Sequence, residues 1–481
     1  MSDTRIFDIT SFSWGESDSY TAWPKNSFYS WENIEIRKDL SGVTLTSKLV
    51  DTWWSISGDI IFMENLEKYG FSGIVVATDT GNVYLDGTLK KTLASGTSAH
   101  NRIIGMWAMK ISWTNYLYFI TRTASWAGKI HRSTTNLATW NEWYKSFDTV
   151  NGASSTYAYS ISINWEINFA INNCIINIDV AETVSTLLTL PEIESVVGFT
   201  QFQNQYKIYA NFWTTGVQYI WDWTATAADY RQEWDNLNVV SVVNNGAYDY
   251  AILWKVWSEA YNDLYLISGT QKQELRVNLE ASNYSRVFNW YMSIREDIVY
   301  ISGGKTGESS NYGIYTYGNY YPWTSKSLVQ SYSLGVNSFL FHVHSWAASY
   351  FANNDDKVYK IEHNNPPTTN WMATSWYVTT LMYEGNVWEE LTFLKTILAY
   401  ELETGTSIKL YCRTNFGVSW NLIKEITDNT KKHIRISANE IQSLNLGKFY
   451  GIQFKIELIG NSYYTPKAKR LTTYLNVVNN G

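Results

Sequence analysis

Polar and apolar residues alternate along this chain in short runs, each closed by turn formers, and a helical period is scarce. The runs Gly-Ile-Val-Val-Ala-Thr at 73–78, Tyr-Leu-Tyr-Phe-Ile-Thr at 116–121 and Asp-Ile-Val-Tyr-Ile-Ser at 297–302 are rich in β-branched and aromatic residues. Gly, Asn, Asp or Ser bound them, which predicts strands joined by turns. One weak helical candidate, 437–446, reads equally as a loop. The chain is predicted to be nearly all-β.

One strand recurs, alternating and often carrying Tyr. Its copies are Asn-Val-Tyr-Leu-Asp-Gly at 82–87, Gly-Lys-Ile-His-Arg-Ser at 128–133, Cys-Ile-Ile-Asn-Ile-Asp at 174–179 and Val-Gln-Tyr-Ile-Trp-Asp at 217–222. Then come Asp-Leu-Tyr-Leu-Ile-Ser at 263–268, Gly-Ile-Tyr-Thr-Tyr-Gly at 313–318 and Lys-Val-Tyr-Lys-Ile-Glu at 357–362. Their third positions are Tyr84, Ile130, Ile176, Tyr219, Tyr265, Tyr315 and Tyr359, stepping by 46, 46, 43, 46, 50 and 44 residues. Such a period, holding several strands, is the mark of a propeller blade. A lone four-stranded blade cannot bury both faces, but a ring of blades can. Seven copies predict a seven-bladed β-propeller, within a range of six to eight. The preceding strand runs into Asp-Thr-Gly-Asn at 79–82, a hairpin turn.

The segment Asn-Asn-Pro-Pro-Thr-Thr-Asn at 364–370 holds two of only six prolines and reads as a boundary. Five to seven strand candidates follow, which suits a small C-terminal β-sandwich such as a jelly roll. The expected division is an N-terminal strap over 1–55, a propeller over 56–370 and a sandwich over 371–481.

Composition narrows the function classes. Charged residues are 17% of the chain and 79 residues are aromatic, which excludes disorder. Lys and Arg number 37 against 44 Asp and Glu, a net charge of −7, which disfavours phosphate-driven nucleic-acid binding. If copies of the chain ringed a DNA duplex, the same acidity would let it slide through the lumen without sequence-specific contact. Cys174 and Cys412 lie far apart and do not suggest a disulfide framework. The first residues lack a signal-peptide pattern, and no apolar run reaches membrane-spanning length. A soluble protein made in a reducing cytoplasm is expected.

Candidate chemistry is sparse. His342 and His344 stand two apart, so a strand would place both on one face, although further metal ligands are not apparent. Asn-Asn-Asp-Asp at 353–356 offers oxygen ligands, yet a hairpin turn explains the same residues. A propeller glycosidase would need converging carboxylates, and nothing selects a pair from Asp51, Asp179, Asp222, Glu362 and others. No nucleotide-loop, nucleophile-elbow or zinc-protease motif is present. Asn-Phe-Gly-Val-Ser-Trp at 415–420 partly resembles the Asp-box turn of sialidases, a structural motif. Catalytic, cofactor-binding and metal-ligating residues are expected to be none, with no cofactor and no enzymatic activity.

Two stretches resemble tailed-bacteriophage tail structural proteins of the nozzle, muzzle or tail-hub kind. One is Phe-Ser-Trp-Gly-Glu-Ser-Asp-Ser at 12–19, followed by Lys-Asn-Ser-Phe-Tyr-Ser-Trp-Glu-Asn-Ile-Glu-Ile-Arg at 25–37 and the short strand 45–49. The other is Tyr-Gly-Ile-Gln-Phe-Lys-Ile-Glu-Leu-Ile-Gly at 450–460 with Thr465, Pro466 and 471–475. The likeness covers roughly 7–50 and 385–478, with the middle matching only as a propeller. It implies a non-enzymatic virion component, assembled in the host cytoplasm as a ring of copies against neighbouring tail or portal-adaptor proteins. A tail fibre or surface adhesin binding host glycans is the alternative, and a propeller depolymerase the second.

Tryptophan breaks the pattern: 24 residues, nearly equal to the 28 Gly. The family pattern would put Gly at Trp14 and a small residue at Trp31. Trp53, Trp54, Trp126, Trp143 and Trp388 also stand where turns want Gly, whereas the motif around Trp420 wants an aromatic. Two explanations stay open. Either the gene belongs to a lineage, or its phage, that reads UGA as glycine, or aromatic packing selected the Trp.

Overall fold

The computed structural model describes residues 4–9, 28–31, 34–35, 44–45, 49–94, 102–121, 127–148, 158–163, 165–191, 195–202, 205–224, 227–228, 230–255, 261–268, 271–280, 292–304, 312–318, 327–333, 339–353, 356–362, 375–380, 382–384, 389–415, 417–461 and 464–478. Among these, strands dominate and the only helical elements are two 3₁₀ turns, Leu66–Tyr69 and Ala438–Leu444. The second occupies the weak helical candidate. Its start carries a capping box between Ser437 and Glu440.

Seven four-stranded antiparallel sheets occur in chain order among the described residues. Sheet 1 is Ile60–Asn65, Ile74–Thr78, Asn82–Leu85 and Thr88–Thr92. Sheet 2 is Ile103–Ile111, Thr114–Thr121, Ala127–Thr134 and Trp140–Asp148, and sheet 3 is Tyr159–Ile163, Glu166–Ile171, Cys174–Ile178 and Val184–Thr189. Sheet 4 is Ser195–Phe202, Gln205–Phe212, Thr215–Trp221 and Tyr230–Trp234, and sheet 5 is Leu237–Asn244, Asp249–Lys255, Tyr261–Ser268 and Gln271–Glu280. Sheet 6 is Met292–Arg295, Ile298–Gly304, Tyr312–Gly318 and Ser327–Ser333. Sheet 7 is Phe339–His344, Ala348–Asn353, Val358–Glu362 and, from far upstream, Val50–Asp51. The recurring strand read from the sequence is the third strand of every sheet.

The first strands of consecutive sheets are neighbours, and Phe339–His344 returns to Ile60–Asn65, so the series closes on itself. This is a β-propeller. Cores form between sheets. Phe62, Val75 and Ala77 of sheet 1 cluster with Ile103, Leu117 and Phe119 of sheet 2, and Ile60, Met63 and Val76 cluster with Val343, Ala352 and Val358 of sheet 7.

Burial follows this geometry. Ile74–Thr78 and Cys174–Ile178 are buried at every position, whereas the outer strand Thr88–Thr92 is mostly exposed. The alternation expected for the recurring strand therefore gives way in Cys174–Ile178, because neighbouring sheets cover both faces. Each such aliphatic side chain contributes about 1.5–3 kcal/mol when fully buried.

The chain divides into two compact units. One comprises 50–312 and 334–363, and the other 1–49, 313–333 and 364–481. The last two strands of sheet 6 thus fall with the second unit. The second unit also carries a sheet ordered Thr4–Ile9, Lys467–Val478, Glu390–Glu401, His433–Ser437. A further sheet is ordered Phe28–Trp31, Ser375–Thr380, Gly451–Ile459, Ser407–Thr414, Asn421–Ile426, with Tyr383–Glu384 paired to Gly451–Ile459. Leu398 and Leu471 of the first share one core with Leu410 and Phe454 of the second. Glu390–Glu401 alternates buried and less buried positions, as a strand covered on one face does.

Within the expected 1–55 strap, the described strands have distant partners. Thr4–Ile9 pairs with Lys467–Val478 and Phe28–Trp31 with Ser375–Thr380, so the first residues are strands of the C-terminal unit. Val50–Asp51 instead completes sheet 7, opposite Tyr359 and Lys360. Backbone donors and acceptors at a sheet edge take whichever partner the fold presents, and nothing local in sequence names it. The proposed boundary at 364–370 lies outside the described residues. Cys174 and Cys412 are both buried and neither forms a disulfide, one in each unit, and burial pushes the Cys412 thiol up to about 12.

Sheet 7 is held by Thr52 as well: its N–H and hydroxyl both donate to the Val358 carbonyl, at 2.9 and 2.7 Å. Thr52→Pro removes both donors and is expected to lower unfolding stability by about 1–3 kcal/mol. Thr52→Ser keeps both and should unfold like the parent in denaturant titration.

Candidate functional site

Three clusters of buried or half-buried polar side chains in the propeller unit bond neighbouring sheets. The first joins sheets 2 and 3. Glu182, in the turn after Cys174–Ile178, accepts from Arg132 Nη1 at 2.7 Å, from Tyr144 Oη at 2.8 Å and from the Tyr118 hydroxyl. The Arg132 guanidinium lies between the rings of Tyr116 and Tyr144, 4.5 and 4.0 Å from their centroids. Burial alone would raise the Glu182 carboxyl, but the three donors and the guanidinium charge outweigh it, so its pKa falls below the ordinary carboxylate value.

The second cluster joins sheets 4 and 5. Lys207 Nζ donates to Asp249 Oδ2 at 2.8 Å, with both side chains buried. Tyr209 Oη donates to the same oxygen at 2.6 Å, and Asn244 Nδ2 to Oδ1 at 2.6 Å. Burial, and then the Asp249 charge, push the Tyr209 hydroxyl well above its ordinary pKa. A buried charge is tolerated only when paired and hydrogen-bonded, as here.

The third cluster joins sheets 6 and 7 and contains the two histidines. His342 and His344 share a face of one strand, and both reach the Ser293 hydroxyl, His344 Nε2 at 2.6 Å. His344 Nδ1 meets Ser349 Oγ at 2.6 Å. A hydroxyl, an imidazole and an orienting group are thus in line. The orienting group is a neutral hydroxyl, which cannot stabilise an imidazolium as a carboxylate does. This cluster is suited to joining strands. Asn65 Nδ2 extends it to sheet 1 by donating to the His344 carbonyl at 2.6 Å. Among the described residues, no group of three or more His, Cys, Asp or Glu is arranged to hold a metal ion.

The carboxylates weighed as a glycosidase set are each engaged locally. Asp51 accepts from the Trp53 N–H, Asp179 from the N–H groups of Ala181 and Thr183, and Asp222 from the N–H and hydroxyl of Thr224. Glu362 pairs with Lys360. Asp356 has φ 57° just ahead of Val358–Glu362. Asn354 and Asp355 lie outside the described residues. Asn415 holds its loop, accepting from the Tyr450 N–H at 2.7 Å, and Trp420 is flanked by Arg413 and Lys455.

Nothing in the sequence alone singles out Arg132, Glu182, Lys207 and Asp249. A lysine inside Tyr-Lys-Ile-Tyr-Ala at 206–210 was the available signal. The partners lie about one repeat away: 42 residues for Lys207 and Asp249, 50 for Arg132 and Glu182, 49 for Ser293 and His342.

Hairpin tips carry the second feature. Of the 16 tryptophans among the described residues, six have positive φ: Trp53, Trp113, Trp143, Trp165, Trp213 and Trp223. No described Tyr or Phe does. Four of these side chains are largely in solvent: Trp53 at 83% exposure, Trp113 at 89%, Trp165 at 86% and Trp213 at 78%. Trp54, by contrast, is a packed residue and corrects the expectation of a glycine there. It stacks on Tyr350 at 5.7 Å, and a Cβ on Gly87 would come within 2.4 Å of its Cγ. Trp14, Trp126 and Trp388 lie outside the described residues, as does the side chain of Trp31.

Lys207→Met strands the Asp249 charge and should cost about 3–5 kcal/mol, most of it recovered in the Lys207→Met, Asp249→Leu double variant. Both are read by denaturant unfolding. Glu182 contributes stability above its unfolded-state pKa of about 4.3, lost as pH falls through its lower folded-state value. Glu182→Gln should therefore flatten the acid limb of a stability–pH profile.

No family model and no curated protein matches the chain. Among solved structures it is similar to the WD40 β-propeller domain of Doa1, at 10% identity and TM-score 0.44, covering 66% of this chain and 96% of that one. It is also similar to the Dos1 propeller, at 9% identity and TM-score 0.41, covering 68% and 90%. A third is the virginiamycin B lyase of Staphylococcus aureus, at 12% identity and TM-score 0.38, covering 74% and 99%.

Proposed function

We propose that this chain is a non-enzymatic structural subunit of a phage tail, of the nozzle or hub kind. In this reading a seven-bladed propeller and a C-terminal β-sandwich form one ring-building block. Copies associate around the tail axis through ring-closing contacts, against tail or portal-adaptor proteins, with DNA passing through an acidic lumen. The observation that supports it most is the path of the N-terminus. Thr4–Ile9 and Phe28–Trp31 build into the C-terminal unit, and Val50–Asp51 builds into sheet 7. The two stretches that carry the family likeness therefore supply strands to one unit. Polar side chains consumed in bonds between sheets also suit a building block better than a catalyst.

A glycan-binding adhesin is the rival, and it draws on the exposed rings of Trp113 and Trp165 at hairpin tips. Electron microscopy of the particle that contains the chain separates the two. A closed multi-copy ring on the tail axis is expected. A peripheral fibre, or a solitary monomer, overturns the reading, and so does a strongly basic lumen.

A further inference from the structure

The backbone at the six positive-φ tryptophans is the backbone of glycine. Ser112 and Trp113 form the two-residue loop between Ile111 and Thr114, with φ of 45° and 72°. Asp86 and Gly87 form the equivalent loop between Leu85 and Thr88, with φ of 48° and 75°. These are the same turn, in which both central residues need positive φ and the second is preferentially Gly. The chain reads Asn-Trp at 164–165, between the paired residues Ile163 and Glu166, and Trp165 has φ 70°. Asn-Gly is the strongest sequence for that slot.

The other four follow the same logic with different turns. Trp213 and Thr214 join Phe212 to Thr215, with positive φ at Trp213 alone. That is the first central position of the turn type that takes Gly there. Trp143 has φ 54° inside the register shift where Asn141 faces Arg132 but Lys145 faces Ile130, a bulge. Trp223 has φ 69° and follows Asp222, whose carboxylate accepts from the N–H of Thr224. Trp53 has φ 58°, and its N–H is bonded to Asp51.

Burial does not account for most of these residues, although Lys110 and Lys129 lie over the rings of Trp113 and Trp143 at 4.8 and 5.8 Å. Trp53, Trp113, Trp165 and Trp213 are exposed, and only Trp223 lies against a core cluster. The remaining described tryptophans include a separate group that is packed and has ordinary φ. Trp221 is fully buried against Tyr206, Trp234 lies beside Tyr209, and Trp140 stacks on Phe119 while its Nε1 donates to the Leu137 carbonyl. Aromatic selection would fill cores with Trp, and it would also have put Tyr or Phe in some of the turns.

We infer that codons 53, 113, 143, 165, 213 and 223 are UGA codons read as glycine where this protein is made, while those of Trp54, Trp140, Trp221 and Trp234 are UGG. The partner this requires is a glycine-charged tRNA whose anticodon pairs with UGA. The exposed indoles at the hairpin tips then vanish from the working protein. The inference rests on backbone geometry and is independent of the tail reading.

Peptide mass spectrometry of the protein from its native source decides it, alongside the codons of its gene. Glycine at the six turn positions, with indole retained at Trp140, Trp221 and Trp234, is the expected result. Indole at Trp113, Trp165 and Trp213, UGG codons there, or termination at these codons overturns it. As a second measurement, the chain carrying Gly at all six sites should unfold at a higher temperature than the all-Trp chain. An equal or lower midpoint also counts against the inference.

Discussion

The propeller unit depends on one pairing that sequence order does not supply, Val50–Asp51 on Val358–Glu362. A four-stranded sheet with apolar residues on both faces is stable only between two neighbours. An open series would leave its two terminal faces in water. Here those faces belong to sheets 1 and 7, and closure places Ile60, Met63 and Val76 against Val343, Ala352 and Val358. Apolar surface removed from water contributes about 25 cal/mol per Å², so that contact favours the closed ring. Pairing with an upstream segment also covers the edge of the last sheet, which would otherwise be open to foreign strands.

Closure leaves little room for solvent between sheets, and this explains the polar chemistry. An unsatisfied buried group costs about 1–3 kcal/mol, and several donors on middle strands are satisfied across the gap. Lys207 finds Asp249, Arg132 finds Glu182 and Ser293 finds His342. The separations approximate one repeat because equivalent strands of adjacent sheets face each other. These contacts key one sheet to the next.

The recurring strand was legible because Tyr84, Tyr219, Tyr265 and Tyr315 occupy one structural position, buried on the third strand. Its evenness carried the propeller fold without any motif. The N-terminal strands were not legible, since Thr4 lies opposite Asn476 and hundreds of residues separate them. The histidine pair was legible as a shared face, but not as a contact to Ser293, because a neighbour in the next sheet leaves no local trace. Asp51, Asp179 and Asp222 look like candidate carboxylates in one dimension and become turn acceptors in three.

The tryptophans show hairpin geometry and residue identity in conflict. For an L-residue the left-handed region costs roughly 1–2 kcal/mol relative to the right-handed one. Six independent sites of this kind approach the net stability of a whole domain, about 5–15 kcal/mol. A fold bears such strain where a side chain repays it, as at ligand clamps and active sites. The rings of Trp165 and Trp213 stand in solvent, and that of Trp113 meets only Lys110 Nζ, 4.8 Å from its centroid at the surface. Trp54 and Gly87 show the opposite case, in which a ring packs where a Cβ would stand and each residue explains the other. A chain that places true tryptophan so closely over true glycine, yet spends six more on turns that exclude a side chain, is most simply two residue types written with one letter.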